Sequence, residues 1–272
     1  MQQRSERVPG KSPIAALLAA TMLAGALGGC AAFRSVEPSS SLAATASPGG
    51  GEGGRKAVDS LAERYETNPG DPKAAIAYAQ ELRKNGQRAQ AVAVLEQSSL
   101  RNPTDMELLG AYGRALADVG NFQQALDVLT RAHTPDHPDW RILSAQGAVL
   151  DQMGRHNEAQ RYYETALKIV PDEPTVLSNL GLSYALSKDL PRAEATLKRA
   201  AAGGNVDPRV RQNLALVVGL QGRFAEAETI ARADLPPDEA AANVAYLRDM
   251  LSRENGTLKG GRISAADGNR RG

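Results

Sequence analysis

The chain is poor in aromatic residues, which make up 4% of its 272 positions. A wide β core filled by aromatic rings is thereby excluded, and helices packed closely through alanine and leucine fit the composition better. Charge imbalance is missing too: 32 Lys and Arg stand against 31 Asp and Glu, with both signs mixed along the sequence. A nucleic-acid binder would show a basic face or stripe, so that class is excluded. Histidine is rare, occurring only at His133, His137 and His156. Pro135 and Pro138 place the first two in a loop rather than on one helix face, which leaves at most a weak metal site with Asp136 and Asp139. No glycine-rich phosphate loop, nucleophile elbow or metal-binding helix motif is present. No catalytic residue, cofactor, metal or small-molecule substrate is therefore expected.

Cysteine is scarcer still. Cys30 stands alone, which excludes an intramolecular disulfide and a cysteine-based metal cage. Its surroundings give it another meaning. Arg4, Arg7 and Lys11 open the chain, Ile14 to Leu27 form an uncharged apolar run, and small residues follow. The run is too short for a bilayer, which takes about 20 apolar residues, and the three parts in this order make a secretory signal peptide. The stretch ends Leu27-Gly28-Gly29-Cys30, which resembles the bacterial lipobox. That resemblance implies loss of residues 1–29 as a lipoprotein signal peptide and acylation of Cys30, so that labelled palmitate enters there. Two or more acyl chains hold a protein stably on a membrane. Ala31 follows in place of the aspartate of an inner-membrane retention signal, so the expected location is the outer membrane, facing the periplasm. Residues 30–55 are rich in Ser, Ala, Gly and Pro and are expected to form a flexible tether, because they cannot bury enough apolar surface to offset the entropy of ordering.

Beyond the tether the sequence repeats itself. Gly86, Gly120, Gly154 and Gly222 lie in one register of 34, with Lys188 in the missing place. Alanine follows each at the same offset, at Ala91, Ala125, Ala159, Ala193 and Ala227, and helix-breaking residues at Pro69, Pro103, His137-Pro138 and Pro171 punctuate the register. The unit starting at Trp140 supplies Gly147, Leu150, Ala159, Tyr163, Ala166 and Pro171 at positions eight, eleven, twenty, twenty-four, twenty-seven and thirty-two. This pattern resembles the tetratricopeptide repeat. The resemblance implies an all-α tetratricopeptide-repeat superhelix of about five and a half repeats with a C-terminal capping helix, over residues 56–252. Each unit is expected to be two antiparallel helices, with glycine supplying the left-handed backbone of the turn and small residues allowing close approach. Units one and five are looser, with Ser98 and Asp234 at position twenty-seven, and Asp189 and Pro191 are expected to start the helix that follows Lys188. Val244, Leu247 and Leu251 share one face of the cap, and residues 253–272 are expected to be a disordered tail.

In this family the first helix of each unit lines a concave face, and the resemblance transfers that role to particular residues. Lys73, Gln80, Arg83, Lys84, Arg114 and Arg141 give the first units a polar, basic lining. Units four and five bring Asn179 and Asn213, Leu182 and Leu216, and Leu186 and Leu220. Such asparagines can bond the backbone of an extended guest peptide while the leucines bury its side chains. Alternatively, the leucines pack beneath the capping helix and the asparagines satisfy helix ends.

Two stretches carry a narrower resemblance. NLALVVGLQGRFAEAE at 213–228 and NVAYLRDML at 243–251 are similar to the TadD family of Flp pilus assembly proteins, of the tight-adherence system. That implies a scaffold or adaptor that binds other envelope proteins, a secretin or pilus-assembly components among them. The alternatives are a pilotin or adaptor of another envelope system (type IV pili, outer-membrane β-barrel assembly) and a regulator of a cell-wall enzyme.

Overall fold

The computed structural model describes residues 52–203 and 206–268, with side chains from 54 to 253 outside that gap. The expected signal peptide, Cys30 and most of the expected tether lie outside the described residues. Twelve helices make up this part: α1 (Glu52–Thr67), α2 (Pro72–Lys84), α3 (Arg88–Arg101), α4 (Met106–Asp118), α5 (Phe122–Arg131), α6 (Trp140–Gln152), α7 (His156–Ile169), α8 (Pro174–Leu186), α9 (Leu190–Ala200), α10 (Pro208–Leu220), α11 (Phe224–Ala231) and α12 (Pro237–Gly268). No β-strand occurs among the described residues. No described helix is long and apolar enough to cross a membrane.

The chain divides into two compact units, residues 1–134 and 135–272, at the proline-containing segment between α5 and α6. In the first unit α1 to α4 each pack on the helix that follows, and α2 also touches α4. In the second the same holds from α6 to α12, with first helices again touching first helices, α6 on α8 and α8 on α10. Every repeat is therefore a helix pair, and α1 is the second half of an upstream one.

The periodic residues explain this local order. The five first helices each run 13 residues and begin at Pro72, Met106, Trp140, Pro174 and Pro208. An acid precedes every one. Asp71, Asp105, Asp139, Glu173 and Asp207 each accept a backbone N–H from the first turn, which satisfies an otherwise orphaned donor. At the turn within each pair, Gly86, Gly120, Gly154 and Gly222 adopt φ between 75° and 84°. Lys188 takes the same left-handed conformation, at φ 68°, and Asp189 caps α9 by accepting from the Arg192 N–H.

Packing depends on the small residues. A Cβ added at Gly113 would lie 2.5 Å from Leu129 Cγ, one at Gly147 would lie 2.7 Å from the Tyr163 ring, and one at Gly181 would lie 2.6 Å from Leu197 Cγ. Position eight is thus a socket for the bulky residue at position twenty-four. Ala91, Ala125, Ala159 and Ala193 are each fully buried. Neighbouring repeats are also tied by arginines: Arg101 and Arg131 donate to the carbonyls of Pro69 and Pro103 at 3.1 Å, and Arg199 donates to that of Pro171. Asp234, which departs from the repeat pattern, is paired with Arg211 of α10.

Two boundaries differ from the sequence expectation. Helix α1 begins at Glu52 rather than after residue 55, and α12 continues to Gly268 instead of ending at Ser252. The apolar face that marked the cap runs out at Leu251, whereas α-helical hydrogen bonding needs no apolar face to continue and no proline interrupts it after Pro237. The cap seats Leu247 against Gly219 of α10, where a Cβ would meet Leu247 Cδ2 at 2.5 Å. Ala240 packs with Ala215 and Ala231.

Candidate functional site

The first helices of each unit present the residues expected to meet a partner. In the first unit Lys73 and Gln80 are exposed. Two members of the basic lining form ion pairs. Arg83 Nε meets Asp118 Oδ2 at 2.5 Å, linking α2 to α4, and Lys84 Nζ meets Glu81 Oε2 at 2.9 Å. Arg114 is half-buried. Two of the basic residues, Arg83 and Lys84, are thus paired with carboxylates that lie between the chosen positions.

In the second unit Arg141 is exposed and its guanidinium lies 4.5 Å from the centroid of the Trp140 ring, a cation–π contact. The asparagines serve neither a helix end nor empty space. Asn179 Nδ2 donates to Ser144 Oγ at 3.4 Å and Asn213 Nδ2 donates to Ser178 Oγ at 3.0 Å. Each reaches back to the preceding first helix, in the same register, and keeps a carbonyl oxygen as an acceptor. Both are half-buried.

The leucines separate into two kinds. Leu182 is 4% exposed and belongs to the core, so its expected place on an open surface is corrected. Leu186, Leu216 and Leu220 are half-buried on α8 and α10. With Asn179 and Asn213 they form the candidate binding face, apolar with two polar rungs. The cap rests on Ala215, Gly219 and Ala231.

A buried polar cluster between α6, α7 and α8 was not legible beforehand. Asp151, 5% exposed near the end of α6, accepts from Ser183 Oγ at 2.8 Å and from Tyr163 OH at 3.1 Å, with His156 Nδ1 at 2.9 Å. Gln160 Nε2 adds a bond to Ser187 Oγ at 3.0 Å. Burial, and secondarily the Asp151 carboxylate, raise the Tyr163 phenol well above its ordinary pKa. An aspartate late in a helix reads as solvent-facing, and only the tyrosine and serine brought from α7 and α8 make it a buried acceptor. A second cluster ties α9 to the turn before α11: Glu194 accepts from Lys198, Arg223 and Gln221. Lys198 first, then Arg223 and Gln221, hold its carboxyl down at about 2 against the opposing effect of burial. These groups brace helices; no group of three or more His, Cys, Asp or Glu among the described residues is arranged to hold a metal.

Comparison with known proteins agrees with this architecture. Family models for the tetratricopeptide repeat match residues 108–172, 152–217 and 208–233, and one for subunit 3 of the anaphase-promoting complex (cyclosome) matches 60–132. No curated protein sequence matches. Among solved structures, PilW, described as a widely conserved type IV pilus biogenesis factor, is similar with a TM-score of 0.63 at 18% identity, over 71% of this chain and 90% of that one. A tetratricopeptide repeat protein from Parabacteroides merdae gives 0.61 at 13% identity, over 72% and 77%. PilF from Pseudomonas aeruginosa gives 0.52 at 18% identity, over 79% and 90%. At these identities the likeness is one of fold. Helix pairs in a register of 34, small residues forming sockets for bulky ones and matching family models lead to one statement: the chain is a tetratricopeptide-repeat protein.

Proposed function

We propose that this protein is a non-enzymatic adaptor, anchored by acyl chains on Cys30 to the periplasmic side of the outer membrane, that holds another envelope protein during pilus assembly. The observation that carries the binding role is the row of Leu186, Leu216 and Leu220 beside Asn179 and Asn213. Aliphatic side chains left partly uncovered next to amides with spare acceptors suit an extended or helical guest segment. The anchor is supported by Leu27-Gly28-Gly29-Cys30, and the Flp (tight-adherence) system by the stretches at 213–228 and 243–251. A secretin is the preferred guest.

A second reading places the adaptor in type IV pilus biogenesis, which the fold likeness to PilW and PilF favours. Replacing Leu216 and Leu220 together by Asp tests the binding role. These side chains are not fully buried, so the helical circular dichroism is expected to persist while in-cell cross-links from this face to a pilus secretin disappear. Cross-linking that survives both substitutions refutes the binding face. Retained palmitate labelling in Cys30→Ser refutes the anchor, and secretin multimers that form normally without this protein refute the assembly role.

A further inference from the structure

Helix α1 is a second helix without its first. It packs on α2, and among the described residues no first helix pairs with it. Ala57 stands at position twenty and Leu61 at position twenty-four, 34 residues before Ala91 and Leu95. In the complete repeats the alanine at position twenty is at most 1% exposed, and so are Leu95, Leu129, Tyr163 and Leu197 at position twenty-four. Ala57 and Leu61 are only half-buried. A bulky residue at position twenty-four seats on its own first helix, so what Leu61 lacks is that helix.

Val58 and Ala62 widen the partly covered surface, since both are half-buried, whereas the polar residues from Arg55 to Arg64 are exposed. The apolar residues thus share one stripe, as in a helix that is covered along its length. Only the far end is packed: Tyr65 lies 5.8 Å from the Tyr78 ring and its hydroxyl donates to Gln97 at 3.0 Å.

The chain that runs into α1 carries the signals of a first helix. Counting back 34 from Asp71 and Pro72 gives Glu37 and Pro38. An acid stands immediately before all five first helices, and proline opens three of them, at Pro72, Pro174 and Pro208. Glu37 is the only acid in residues 30–51, and it falls on the register with proline beside it. A helix opened there stops by Ser47, because Pro48 disfavours helical backbone in the residue before it and Gly49-Gly50-Gly51 follow. Residues 48–51 then form a connection of ordinary length between packed helices. Leu42 is the only large aliphatic residue between Pro38 and Glu52, and counted outward from that connection it comes opposite Ala57 and Val58.

We propose that residues 38–47 dock on the open face of α1 as a short first helix, so that the array begins with a complete pair. This segment is favoured over a partner chain because it is covalently joined to the face it covers. Taken with the anchor proposed above, docking leaves residues 31–37 as the whole link to Cys30. Such a link reaches at most about 25 Å, against about 75 Å for 31–51, so the repeats are held near the membrane surface.

Pulsed hydrogen exchange on the full chain in detergent tests the docking, in wild type and in Cys30→Ser, so that the outcome does not depend on the anchor. Amides of 39–47 should exchange about tenfold or more slowly than in L42D, and at an unchanged rate when the protein is diluted. L61D removes the seat from the other side and should free 39–47 as well, with A62D on the same stripe taking its place should L61D unfold α1. The proposal is overturned by wild-type amides at 39–47 that exchange as fast as in L42D, or by protection kept in L42D or in the folded α1 variant. Protection lost on dilution overturns it too, and assigns the face to a second copy of the chain.

Discussion

Lys188 offers the sharpest test of the link between register and stability. It occupies the turn place that glycine fills in the other four repeats, and its φ of 68° lies in the same left-handed region. The hydrogen bonds are those of the glycine turns. The Lys188 N–H donates to Ala185 at 3.0 Å and the Asp189 N–H to Tyr184 at 2.8 Å, as Gly86 and Gln87 do to Arg83 and Leu82. Only the Cβ is out of place. A residue with a Cβ pays about 1–2 kcal/mol in this conformation. Glycine removes that strain but frees the unfolded chain, which costs about 0.4–1 kcal/mol in return. Lys188→Gly should therefore stabilise the protein by about 0.5–1 kcal/mol net. For a folded region of this size that is about 1–4 °C in melting temperature. The side chain is exposed and forms no ion pair among the described residues, so its removal should lose little else. Lys188→Ala is the control, since it removes the charge and the stem while keeping the Cβ. Thermal and urea unfolding of all three proteins, with hydrogen exchange at the Asp189 amide, separate the effects. A Lys188→Gly protein no more stable than Lys188→Ala refutes the strain argument.

Three further outcomes follow from the packing and the buried polar groups. Gly147→Ala should cost about 1–3 kcal/mol, because the new Cβ meets the Tyr163 ring at 2.7 Å and that ring is 1% exposed with its hydroxyl held by Asp151; a melting temperature within a degree of wild type contradicts it. Asp151→Asn should cost about 1–3 kcal/mol by turning an amide NH2 toward the hydroxyl donors, and a double-mutant cycle with Ser183→Ala should show coupling, whereas additive effects dismiss the network. Glu194 has its folded pKa depressed to about 2, so its contribution is present above the unfolded value of about 4.3 and is lost as pH falls from there towards 2. With Lys198 and Arg223 side chains 55% and 40% exposed, screening reduces that contribution to about 1 kcal/mol, and Glu194→Gln should flatten the acid limb of the stability curve by that amount; an unaltered limb rejects the assignment.

Much of the fold was readable because each repeat states its own geometry locally. A glycine that must take positive φ, an alanine that must face a neighbouring helix and a bulky residue opposite it recur with one stride, and the resemblance carried by those residues implies helix pairs. One equally regular signal went unused. The acids Asp71, Asp105, Asp139, Glu173 and Asp207 stand immediately before all five first helices and would have fixed their starts to the residue. The candidate face was readable only as a set of positions. Family positions do not say that Arg83 would be paired with Asp118, or that Leu182 would be core while Leu186, Leu216 and Leu220 stay partly open.

The sequence by itself determined the helix pairs, their register and the sockets between them, since these depend on backbone sterics and on contacts within one repeat. The tertiary structure decided what each surface is. Burial of Asp151, the Asn213–Ser178 rung and the seat of Leu247 on Gly219 all arise between helices from different repeats. Whether a side chain there is core, brace or open surface is set by the volume and charge of neighbours about 20 to 35 residues away, which no local pattern encodes.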